Sequence, residues 1–75
     1  MEYNKDKVDE FAFALFYLTL HDYNRAWKGL DWDITDRLYK KGWIEDPHNK
    51  NKSVVLTDEG LALCEELFKK FFVEK

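Results

Sequence analysis

The chain is poor in the residues that carry most small-protein chemistry. Its 75 residues include one cysteine, one proline, one serine and three glycines. A single cysteine excludes an intramolecular disulfide. His21 and His48 have no second histidine or cysteine at ligand spacing, so no metal site is expected. Three glycines make no phosphate-cradling loop, and the lone Ser53 stands in no nucleophile motif. Cys64 falls on an apolar helical stripe, the setting of an inert core thiol. Neither catalysis nor a cofactor is therefore expected. No apolar run reaches the roughly 18 residues of a membrane span. The opening MEYNKDKVDE lacks the basic-then-apolar layout of a signal peptide. A cytoplasmic protein with no membrane contact follows as the expectation. Basic residues are outnumbered by acidic ones, 12 to 15, so the overall charge draws the chain to no polyanion.

What the chain has instead is aromatic and apolar surface. Six Phe, four Tyr and three Trp accompany a hydrophobic fraction of 45%, too high for a disordered segment. With no repeat, linker or low-complexity tract, residues 1–75 are read as one domain. A chain this short without disulfide or metal is expected to be stapled by oligomerisation.

The first element spans about Lys5 to His21. Its centre, FAFALFYLTL from Phe11 to Leu20, has nine apolar residues in ten. A short apolar run suits a strand as well, but the segment's length, its Ala and Leu content and its early acids favour a helix. A helix apolar all round needs two surfaces to bury it. One is its own domain, and the other is assigned to a second copy, unless the remaining helices wrap the first one completely. Phe11, Phe13, Phe16, Tyr17 and Leu20, with Phe71 and Phe72 at the far end of the chain, are the expected contacts of that homodimer.

Asn24 can cap a short helix from Arg25 to Lys28 that Gly29 ends. Asp31 or Asp33 can cap a third from about Trp32 to Lys41, closed by Gly42. Two helices with a tight glycine turn form a helix-turn-helix unit. Trp43 to Glu45 and Val54 to Leu56 read as short strands joined by DPHNKNKS. Thr57 caps a last helix, on which Leu61, Cys64, Leu67, Phe68 and Phe71 recur at threes and fours. The expected fold is mainly α with a small β-hairpin: helix, helix, helix, hairpin, helix.

The stretch DRLYKKGWIEDPHNKNKSVVLTDEG, from Asp36 to Gly60, resembles the reading helix, wing and following helix start of MarR-type and PadR-type winged helix-turn-helix repressors. Leu38, Gly42, Ile44, the Leu56-Thr57 pair and Gly60 carry that resemblance. Through VDE near the start, AWKGLDWD and the SVVLT-x-x-G run, the whole chain is similar to a family of short bacterial proteins of unknown function. The first resemblance implies a dimer that grips duplex DNA. Between Arg37 and Lys52 five basic residues face two acids, net +3, against net −6 elsewhere. The expected DNA contacts are Thr35, Arg37, Lys40 and Lys41 on the reading helix and His48, Asn49, Lys50, Asn51 and Lys52 in the wing. Set against this, the reading helix opens with Trp32, Asp33, Thr35 and Asp36, whose carboxylates repel phosphate. The wing also lacks arginine. The competing expectation is a protein-interaction module that keeps the scaffold and meets its partner through Trp27, Lys28, Trp32 and Tyr39.

Overall fold

A computed structural model describes residues 1–27, 29, 31–48 and 52–74. Helix α1 (Lys5–Leu15) runs on into a 3-10 turn (Phe16–Thr19). Strand β1 (Arg25–Trp27), helix α2 (Trp32–Lys40), strand β2 (Ser53–Val55) and helix α3 (Asp58–Phe72) follow. β1 and β2 pair antiparallel, with Arg25 opposite Val55, Ala26 opposite Val54 and Trp27 opposite Ser53. The architecture is thus mainly helical with a small antiparallel sheet. No helix among the described residues is long and apolar enough to cross a membrane.

One expected helix is absent, and the sequence reading is corrected there. Arg25 to Trp27 form a strand, so the order is helix, strand, helix, strand, helix. Among the described residues no second helix precedes α2 to complete a helix-turn-helix pair. The cause lies upstream. His21 and Arg25 exchange backbone hydrogen bonds of 2.8 and 3.0 Å around a tight turn. Asp22 and Tyr23 enter the left-handed region there, at φ 48° and 74°. Asn24, expected as a helix cap, instead lends its carbonyl to the Leu56 N–H at 2.7 Å. A four-residue helix closes too few hydrogen bonds to repay its nucleation, whereas the strand gains a ladder and buries Ala26 completely.

The hairpin expected between 43–45 and 54–56 is present in reduced form. Ile44 bridges Leu56, and the Glu45 N–H donates to Val55 O at 2.8 Å. β2 consequently lies between β1 and the 43–45 segment. Of the remaining ends, the stop at Gly42 and the cap at Thr57 form as anticipated, whereas the first helix, expected to reach His21, ends at Leu15 and gives way to the 3-10 turn, and Asp31 opens α2 without a side-chain cap bond. Asn4 accepts from the Lys7 N–H at 3.0 Å and caps α1. α2 ends at Gly42, whose φ of 80° lets Gly42 N–H reach Tyr39 O at 2.9 Å and Trp43 N–H reach Leu38 O at 3.1 Å. This is the two-bond helix stop that favours glycine. Thr57 Oγ1 accepts from the Gly60 N–H at 2.9 Å and donates to Gly42 O at 2.8 Å, tying the start of α3 to the end of α2. A side chain on Gly60 would run into the Trp43 carbonyl. The Leu-Thr-x-x-Gly run therefore encodes a cap and a close approach.

The core holds Phe13, Ala14 and Phe16 from the first element, Leu38 from α2, Val54, Leu56 and Ile44 from the strand region, and Cys64 and Leu67 from α3. Phe13 is its centre, with ring centroids 5.8 Å from Phe16 and 5.0 Å from Trp43. Phe13 and Phe16, expected to meet a second copy, are buried within their own chain. The reason is periodicity: positions 9, 13 and 16 share the stripe of α1 that faces α2 and α3.

Candidate partner-binding face

α2 presents two faces with different chemistry. Its inner face carries Thr35 and Leu38, both buried. Thr35 Oγ1 donates back to Trp32 O at 3.2 Å, so this residue is a core packer and offers nothing to a base edge. Arg37 turns towards α1. Its Nε and terminal nitrogen each donate to one carboxylate oxygen of Asp9 at 2.7 Å, a bidentate pair with Asp9 fully buried. That hydrogen bonding raises the guanidinium pKa above its ordinary value. Lys41, just past the helix end, reaches Asp6 at 3.0 Å. Two of the cations expected on DNA are thus committed to carboxylates of α1.

The outer face is aromatic and acidic. Trp32 and Tyr39 are 56% and 41% exposed. Spaced seven apart, they lie on one side of α2 with Asp36 between them. The imidazole of His48 lies flat on Trp32, centroids 5.5 Å apart and planes within 14°, and meets Tyr39 edge-on at 6.3 Å. His48 Nδ1 is 2.7 Å from Asp46 Oδ1, which also accepts the His48 N–H at 2.9 Å. Those bonds, the backbone one first, hold the Asp46 carboxyl below its usual value. His48 Nε2 lies 3.8 Å from Asp36, which also pairs with Lys40 at 3.0 Å. Buried Pro47 sets the turn that swings His48 over α2.

The remaining expected residues are dispersed. Lys52 is exposed at the foot of β2, while Lys28, Asn49, Lys50 and Asn51 lie outside the described residues. Trp27, exposed on β1, borders a depression with Ala12, Leu15, Phe16, Thr19 and Gly29, and so belongs with α1. Tyr17 packs against Phe68 with centroids 4.9 Å apart and planes tilted by 31°, Leu20 is half-buried, and Phe71 sits against Phe11 at 4.3 Å. Cys64 is buried; its thiol donates to Phe13 O at 3.1 Å, and burial pushes its pKa up to about 11.

Two members of these clusters escaped the sequence reading. As one of the early acids of the first helix, Asp9 gives no local sign of a buried partner. Its spacing of four and seven from Phe13 and Phe16 already placed it on the buried stripe, where a carboxylate needs a cation. His48 was read as a loop contact to phosphate, and nothing in the sequence signals its stacking on Trp32.

Among the described residues, three α-helices, a two-stranded sheet and an aromatic, acid-flanked helix face define a small, mainly helical protein. The chain belongs to the family described as domain of unknown function (DUF6429), whose model matches residues 4–74. It is similar to the "Uncharacterized protein y4hR" of Sinorhizobium fredii, with 57% identity over 72 residues that cover 96% of this chain and 97% of that protein. No solved structure matches the chain.

Proposed function

We propose that this protein is a non-enzymatic protein-interaction module. In this reading it is a reduced winged helix that keeps the reading-helix position and the wing strands but has turned the DNA face over to a protein. The observation that carries the proposal is the division of α2. Arg37, Lys40 and Lys41 each face a carboxylate at 2.7 to 3.0 Å, while Trp32 and Tyr39 stand open beside His48. A helix that reads DNA needs free donors and cations towards the groove. A protein partner instead favours open aromatics around which water can be excluded. Asp36 and Asp46 border the aromatics, so the matching surface is basic, with arginine suited to both the rings and the carboxylates.

The duplex-DNA reading rests on Lys52 and the wing lysines, and one experiment separates the two. With immobilised protein, partners are captured from extract by the unaltered chain and by Trp32→Ala, His48→Ala and Lys52→Ala, with nuclease added to remove bridging nucleic acid. The proposal expects a defined basic protein that Trp32→Ala loses and Lys52→Ala keeps. Retention that depends on Lys52 and vanishes with nuclease would refute it in favour of DNA.

A further inference from the structure

α1 is apolar on two sides; among the described residues the inner one is buried, and the outer one is covered chiefly at Phe11, by Phe71 and Phe72. Asp9, Phe13, Ala14 and Phe16 are buried inward, Ala12, 8% exposed, lies on the floor of the outer groove, and Val8, Phe11, Leu15 and Leu18 run along that opposite side. Their spacing of 3, 4 and 3 is the seam of a helix pair. Phe11, Leu15 and Leu18 are 42%, 46% and 67% exposed. Two depressions lie along this seam. One of about 530 Å³ is lined by Asn4, Lys7, Val8, Phe11, Ala12 and Leu15. The other, of about 230 Å³, continues past Ala12 and Leu15 to Trp27. Phe72, against Phe11 with centroids 5.9 Å apart, extends the apolar surface at one margin.

We infer that this groove is filled by the same groove of a second copy, with the two α1 helices antiparallel about a two-fold axis at Phe11 and Ala12. The stripe is self-complementary about that point. Val8 then falls beside Leu15 of the other chain and Asn4 beside Thr19, while Leu18 at the end of the seam falls beside Lys5, whose methylene stem can cover it. Ala12, the smallest side chain of the seam, lies on the axis where the helices must come closest. Lys7 comes alongside the uncharged 16–19 end of the opposite helix, where the helix dipole favours a cation. No carboxylate lies on the seam, because Asp6 and Asp9 are both turned to α2.

The area is sufficient. Phe11, Leu15, Leu18, Trp27 and Phe72, between 40% and 67% exposed, together leave roughly 500 Å² open, taking about 150–250 Å² for a fully exposed aromatic. Two such faces bring about 1,000 Å² of mostly apolar surface together, the size at which specific interfaces begin. The seam lies on a different helix from the α2 face, so either assignment can fail without the other.

Sedimentation equilibrium of the full chain tests the pairing. The unaltered protein is expected at twice its 9.1 kDa mass at tens of micromolar. Leu15→Glu places two unpartnered carboxylates in the seam and should weaken dimerisation roughly 100-fold or more, with helical circular dichroism retained. Ala12→Cys provides a second readout that needs no disruption: mild oxidation should link it to a covalent dimer, whereas Trp32→Cys should stay unlinked. A monomer at 100 µM, leaving the groove to some other occupant, overturns the inference. So does a dimer that Leu15→Glu leaves intact and Ala12→Cys fails to cross-link.

Discussion

Asp9 is the residue on which the structural account can be tested most severely. Asp9→Asn keeps the shape of the side chain but removes its charge and turns an amide donor towards the Arg37 guanidinium. One of the two 2.7 Å bonds is lost, and Arg37 keeps a charge with only a quarter of its side chain in water. Breaking a fully buried pair costs about 3–5 kcal/mol. The remaining exposure of Arg37 reduces this to about 2–4 kcal/mol. A chain of this length has a total stability on the order of 4–11 kcal/mol, so the loss is a large share of it. In urea, with a slope near 1 kcal/mol/M for so small a protein, the midpoint should fall by about 2–4 M. The assay is tryptophan fluorescence against urea at one fixed protein concentration. Asp9→Leu combined with Arg37→Met should recover most of the loss, to within about 1 kcal/mol of the original, because an apolar pair needs no desolvation of charge. A midpoint for Asp9→Asn within about 0.5 M of the unaltered chain would refute the reasoning. Lys41→Ala, which cuts the exposed Lys41–Asp6 pair and lifts the Lys41 ammonium from the Trp43 ring, 5.5 Å from its centroid, should change stability by less than about 1 kcal/mol.

Other positions give independent checks. Gly60→Ala should destabilise the fold by about 2–4 kcal/mol despite alanine's better helix propensity, because the added methyl meets backbone of Trp43 that cannot yield. A higher melting temperature for that variant would contradict the close approach. Cys64, with its thiol pushed up to about 11 by burial, should react with a disulfide reagent at pH 8 only as fast as the chain opens, and at once in denaturant. The Asp46 carboxyl should titrate below 3.8 in a carbon-detected NMR titration, and His48→Ala should move it back up. The sign follows from the direction of the shift. A lowered carboxylate pKa stabilises the turn above the ordinary value, and the contribution disappears as pH falls through the folded midpoint.

Helix ends were the most legible part of the fold because each rests on a local, nearly context-free rule. Gly42 and Thr57 mark their boundaries through one or two hydrogen bonds to residues nearby in sequence, while the end of the first helix, expected at His21, falls at Leu15. The 3.6-residue spacing likewise placed Leu38, Cys64 and Leu67 in the core. The Arg25–Trp27 segment was not legible, because its conformation is decided by β2, nearly thirty residues away. Asn24 followed by Arg-Ala-Trp is a fair helix start in isolation, and the pairing with Ser53–Val55 overrides it. The site divides in the same way. Residue type offered Trp32 and Tyr39 as a candidate partner surface, whereas their exposure is decided by packing. The occupation of Arg37 by Asp9 joins two helices 28 residues apart, so counting charges along α2 alone overstated its basicity. Phe13 and Phe16 were misassigned to a dimer contact because FAFALF reads as apolar in every direction, and only packing distinguishes its inner stripe from its outer one.

The most direct test of the central claim is a titration of the purified protein into fluorescent random duplex DNA, followed by anisotropy at several salt concentrations. A helix face whose cations already face carboxylates should give no salt-dependent binding, even at low ionic strength. Binding whose log affinity falls against log salt by about 0.9 for each neutralised phosphate, over several phosphates, would contradict the account and return α2 and the wing to DNA.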